Sequence, residues 1–216
     1  MHHSRRGGRR RHPGAAPGAG VEDNTSNQLI MNSVSILWRR LDQAGHEAAR
    51  LTGDDEARRL EGTAVFVEQG QPCRLDYRVS CDAAWRTVSA EVNGWLADTP
   101  IQLAIAVDAD KRWTLNGKAF PSVQGCIDVD LSFSPSTNLL PIRRLRLEVG
   151  QRAEARAAWL LFPAGTLEPL DQVYERVDQS RYRYASGGGA FVAVLETNSA
   201  GLVVDYPQLW RAEVPT

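Results

Sequence analysis

Apolar and polar residues alternate with a period of two along much of the chain from Gly62 onward. Leu75, Tyr77, Val79 and Cys81 alternate with Arg74, Asp76, Arg78 and Ser80. Ile101, Leu103, Ile105 and Val107 alternate with Gln102, Ala104, Ala106 and Asp108. Ile127, Val129, Leu131 and Phe133 do so with Cys126, Asp128, Asp130 and Ser132, and Leu145, Leu147 and Val149 with Arg144, Arg146 and Glu148. Successive side chains of a strand point to opposite faces, so each run reads as a half-buried antiparallel strand. Turn-forming residues separate the runs: Asn93-Gly94, Asp98-Thr99-Pro100, Asn116-Gly117, Ser134-Pro135, Gly187-Gly188-Gly189 and Ser199-Ala200-Gly201. This spacing predicts an all-β fold of the sandwich or barrel kind. Strands do not alternate with long helices, which argues against a doubly wound α/β fold.

Residues 34–60 read two ways. Leu41, Ala44, Ala48 and Leu51 share a face at helical spacing. Gly45 and Gly53 oppose a long helix, and two strands broken at Gly53-Asp54-Asp55-Glu56 fit as well. No linker and no fixed-period repeat divides 31–216, so those residues read as one domain.

The charge is uneven. The formal net charge is −1, yet five arginines face only Glu22 and Asp23 before residue 31. Residues 1–30 are Arg-, Gly- and Pro-rich without a hydrophobic period, which predicts a disordered basic tail. Five arginines without interleaved aromatics are a weak nucleic-acid signal, so a true start at Met31 is preferred over a polyanion-binding role. The domain itself gives no bulk argument for nucleic acid. The chain lacks a run of about 18 apolar residues, and no apolar segment follows the arginines, so neither a spanning helix nor a signal peptide is expected.

Cys73 and Cys81 lie in one strand, roughly 26 Å apart, beyond disulfide reach, which leaves Cys126 as the close partner for either. An odd count without a signal peptide predicts reduced thiols and a cytoplasmic protein.

Candidate chemistry is sparse. His46-Glu47-Ala48-Ala49-Arg50 resembles a zinc-protease helix, but Arg50 stands where the second ligand must be. No nucleophile elbow and no phosphate-binding glycine loop occurs, and no metal or cofactor is expected. Asp128 and Asp130 share one strand face, roughly 7 Å apart. They suit an acid–base pair on a glycoside, a cation with a nucleotide sugar, or pairing with Arg143 or Arg144 on a neighbouring strand, and the last is preferred. The tryptophans at 38, 85, 95, 113, 159 and 210 and the five tyrosines read chiefly as core, although aromatic faces also stack on sugars.

The stretch Gly125-Cys126-Ile127-Asp128-Val129-Asp130-Leu131, then Ser134-Pro135 and Thr137-Asn138-Leu139-Leu140-Pro141-Ile142-Arg143-Arg144-Leu145, resembles the signature of a glycolipid-binding family of bacterial proteins. Trp38, Glu47, Gly62, Leu75-Asp76-Tyr77, Trp85, Trp113, Asn116-Gly117, Gln172-Val173-Tyr174, Gly201-Leu202-Val203 and Tyr206-Pro207 fit the same pattern in order. The resemblance runs from about Ile36 to Arg211. It implies a single long antiparallel sheet curled as a spiral β-roll or open barrel, similar in shape to periplasmic lipoprotein carriers. It favours strands in 34–60. It also implies a non-catalytic glycolipid or lipid binder, a label that rests on likeness of shape. Asp128, Asp130, Asn138, Arg143 and Arg144 are then candidate head-group ligands, with Trp85, Trp113 and Tyr77 as aromatic partners. The alternatives are a carbohydrate-active enzyme using Asp128 and Asp130, or a protein-interaction module.

Overall fold

The computed structural model describes residues 33–213; the basic segment 1–30 lies outside them. Residues 34–60 are strands. Val34–Arg40 (β1), Gly45–Gly53 (β2) and Ala57–Glu68 (β3) lead into Gln71–Asp82 (β4), Thr87–Leu96 (β5), Thr99–Val107 (β6), Trp113–Leu115 (β7) and Lys118–Ala119 (β8). The helical hint fails because Leu41, Ala44, Ala48 and Leu51 are not the buried set. Ile36, Trp38, Glu47, Ala49 and Leu60 are, at the period of a strand.

The chain then leaves the sheet and returns as a four-residue strand, Asp128–Leu131 (β9). A 3-10 turn at Ser136–Asn138 runs into a short helix, Leu139–Leu145 (α1). The alternation of Leu145, Leu147 and Val149, which predicts a strand, does not form one. The helix ends at Arg146, whose left-handed backbone (φ 49°) breaks the helical path and leaves an irregular segment behind it. Arg152–Leu161 (β10), Thr166–Arg176 (β11), Arg181–Ser186 (β12), Phe191–Thr197 (β13), Val203–Tyr206 (β14) and Trp210–Ala212 (β15) complete the sheet.

All fifteen strands belong to one sheet, ordered β8 to β1, then β15 down to β9. The first and last strands thus pair in its middle, Trp38 opposite Ala212. Every pairing is antiparallel except β9 with β10. The sheet curls without closing. Thr87, at the start of β5, donates its backbone N–H to Ile127 O (3.1 Å) and accepts from Val129 N–H through its hydroxyl (2.9 Å), so the β9 end of the order reaches back to β5.

Residues 133–142 are all buried. They lie inside the curl and touch both halves of it: Phe133 packs on Phe66 of β3, and Asn138 accepts a hydrogen bond from Tyr174 of β11. The interior of the roll is therefore filled by the chain's own segment. Burying the apolar side chains Leu139, Leu140 and Ile142 contributes about 1.5–3 kcal/mol each to that arrangement.

Asn93-Gly94 is not a turn. Both residues sit within β5, and the reversal falls at Ala97-Asp98. Gly94 is required there for another reason: a Cβ at this position would overlap the carbonyl oxygen of Arg74 on β4. Gly94→Ala should cost about 2–3 kcal/mol, read from the urea midpoint. A loss under about 0.5 kcal/mol would show that β4 and β5 separate there without strain.

Among the described residues, no helix is long and apolar enough to cross a membrane, and no group of three or more His, Cys, Asp or Glu side chains could hold a metal ion.

Candidate functional site

Two polar assemblies meet the buried segment, and a third, open one lies beside it. The first is centred on Glu47, which projects inward from β2 with no exposed surface. The Tyr77 hydroxyl donates to its Oε1 (2.5 Å), and so does the Ser134 hydroxyl (2.6 Å). Ser136 joins them, its Oγ lying 2.8 Å from the Tyr77 oxygen and 2.6 Å from Ser134 Oγ. Gly62 makes room for this cluster: a Cβ there would lie 2.6 Å from the Tyr77 hydroxyl. Oε2 of Glu47 has no hydrogen-bond partner. Burial, opposed by these hydroxyls and by the Arg40 charge, pushes the Glu47 carboxyl up to about 7.

The second assembly holds the paired aspartates. Asp128, 1% exposed, is gripped by Arg144 of α1 in two parallel bonds, Nε to Oδ1 at 3.0 Å and Nη2 to Oδ2 at 2.5 Å. Burial still leaves its carboxyl above its usual range. The Asp130 side chain accepts from Gln172 Nε2 (2.8 Å), and burial of the carboxyl pushes it to about 6, although the residue keeps some exposed surface. The anticipated arginine partner is real, but it comes from a helix and not from a neighbouring strand.

The third assembly is a cleft of about 560 Å³ beside the C-terminal end of α1, within the range of small-molecule sites. Its lining includes Trp85, Arg143, Arg146, Arg176, Tyr182 and Gly201, and no Asp or Glu. Arg143 lies over Trp85, with Cζ 5.4 Å from the ring, and Arg58 approaches the same indole at 5.4 Å. Trp85 is itself held in a left-handed backbone (φ 65°) by a turn in which Asp82 accepts from the N–H groups of Ala84 and Arg86. Arg176 donates to the carbonyls of Leu147, Asp178 and Gln179 and lies over Tyr182. Gly201 (φ 91°) lets the turn close on Arg143: a Cβ there would be 3.0 Å from Arg143 Cδ. Arg143, Arg146 and Arg176 form no ion pair among the described residues.

Of the eight residues singled out from sequence, the cleft brings together only Arg143 and Trp85. Asp128, Asp130, Arg144, Asn138 and Tyr77 belong to the internal networks. Trp113 is 1% exposed and donates to Cys126 O (3.2 Å) within the core. In the sequence Glu47 stands out only within the near match to a zinc-protease helix and as part of the family pattern, not as a site residue. Ser136, Gln172, Arg146, Arg176 and Tyr182 were missed as site residues. The usable signal for the arginines was an excess of cation over carboxylate around 143–146.

A solved structure of a DUF1089-family protein from Pseudomonas aeruginosa is similar: 32% identity, a TM-score of 0.68, and coverage of 92% of this chain and 99% of that one. No curated protein matches the chain. Residues 35–212 match the family described as "Putative glycolipid-binding", and the chain belongs to that family.

Proposed function

We propose that the protein is a non-catalytic binder of an amphipathic ligand, a glycolipid in keeping with the family's description, whose polar head occupies the arginine cleft. The observation that carries this reading is the convergence of Arg143, Arg146 and Arg176 on one open volume without a carboxylate partner. Arg143 and Arg176, held in place by their own protein contacts without an acidic partner, suit ligand recognition, because little side-chain freedom is lost on binding. An acid–base role for Asp128 and Asp130 would need both carboxylates in an open cleft, and Asp128 is buried against Arg144. The proposed location is the cytoplasm, supported by three buried cysteines that are all free thiols.

Native mass spectrometry tests the reading. Purified protein, offered a panel of glycolipids in detergent, should carry a one-to-one adduct that organic extraction removes. Protein that takes up no member of the panel would overturn it.

A further inference from the structure

The cleft and the filled interior together narrow the ligand. We propose that the cleft takes an anionic head group, a phosphate ester on a sugar, and that the hydrocarbon part of the ligand stays outside the roll. This rests on the reading of the cleft as the ligand site.

Three arginines and no acid line the cleft, so a neutral sugar would leave three charges unanswered and a cationic head would be repelled. The guanidinium fork matches phosphate oxygens two at a time. Two of the arginines are also placed in advance. Arg176 is anchored by three backbone carbonyls, and Arg143 is steadied by Trp85 and fitted beside Gly201; Arg146 lines the cleft from the left-handed residue that ends α1. The indole of Trp85 and the ring of Tyr182 are each under 10% exposed and already carry an arginine. Both are therefore positioning residues for guanidinium groups rather than open platforms for a sugar ring. An acyl chain would need the space inside the curl, and the buried residues 133–142 occupy it.

The experiment is calorimetric titration of the full chain with glucose 6-phosphate, glucose and inorganic phosphate, and flotation with phosphatidylglycerol vesicles. Glucose 6-phosphate should bind one to one and weaken as salt is raised, and glucose should not bind. Arg143→Gln and Arg146→Gln, both exposed positions, should each lose about tenfold in affinity or more while the unliganded melting temperature holds. A preference for the ester over inorganic phosphate supports a sugar-phosphate head-group site, and equal binding would overturn the sugar-ester assignment. Flotation abolished by the double variant places that anion on a lipid. Absence of binding by both phosphate compounds, or undiminished binding in the double variant, would overturn the inference. Neutral glycolipid uptake that survives in the double variant would also overturn it and leave the glycolipid reading standing. Ester binding without uptake of any lipid would do the reverse.

Discussion

Arg144→Ala should destabilise the protein by about 3–5 kcal/mol near pH 8, far more than a surface arginine would. The reason is what remains behind. Asp128 is 1% exposed and takes both of its strong hydrogen bonds from Arg144, so the substitution strands a carboxylate in the interior. The loss has a ceiling, because a stranded carboxyl escapes by binding a proton. Its pKa is already above the usual range with Arg144 present and must climb further without it. The penalty should therefore shrink toward pH 5. Removing both partners, Asp128→Leu with Arg144→Met, should recover much of the loss, since well-packed apolar replacements of a buried pair are often neutral. Urea unfolding of the single and double variants at both pH values measures this. An Arg144→Ala protein within 1 kcal/mol of the parent at pH 8 would mean that water reaches Asp128.

The second large effect is a fall in stability as pH rises from about 4.5 to 7. The buried Glu47 carboxyl holds its proton up to about pH 7 in the folded protein, whereas the unfolded chain releases it near 4.5. Between those values the folded state carries the extra proton, so raising pH favours unfolding; above about 7 both states are ionised and the effect levels off. A gap of this size corresponds to about 3 kcal/mol. Asp130, raised from 3.8 to about 6, adds a smaller fall of the same sign over a lower window. Glu47→Gln keeps an acceptor for Tyr77 and Ser134 and places its amide nitrogen where Oε2 now has no partner. That nitrogen carries its own cost of about 1–3 kcal/mol, but the cost does not change with pH. The slope is thus the clean readout: the variant's stability should flatten between pH 5 and 7, leaving only the Asp130 share. Identical slopes in parent and variant would remove Glu47 as the source.

How much of this was legible beforehand depended on which force placed each residue. Strands β4 and β6 showed in the sequence because one face is buried and the other solvated, and the alternation records that directly. In β2 the inward position next to Ala49 is a carboxylate, Glu47, so the apolar period is broken where the strand is most buried. Only the family resemblance tipped that region toward strands. The run at 144–149 alternates by accident: Leu145 closes a helix and Leu147 lies beyond its left-handed end. An arginine partner at 143 or 144 was expected across a neighbouring strand for both aspartates; Asp128 takes Arg144 from a helix, and Asp130 takes Gln172 instead. The cleft was not expected, because Trp85, Arg143, Arg176 and Gly201 come from four segments that only the curl of the sheet brings together. Long-range encounters of this kind leave no local spacing to read.

The pairing of β1 with β15 has a consequence for synthesis. While the chain is being made, the first eight strands can zip up as a meander as soon as they appear, since each pairs with its predecessor. The outer edge of β1 cannot be matched until Trp210–Ala212 emerges, some 170 residues later. Throughout that interval a seven-residue strand, VSILWRR, offers open backbone donors and acceptors to any passing strand. Arg39 and Arg40 at its end place charge on that exposed ribbon. The nascent protein thus carries this open edge until its last strand pairs with Trp38–Arg40.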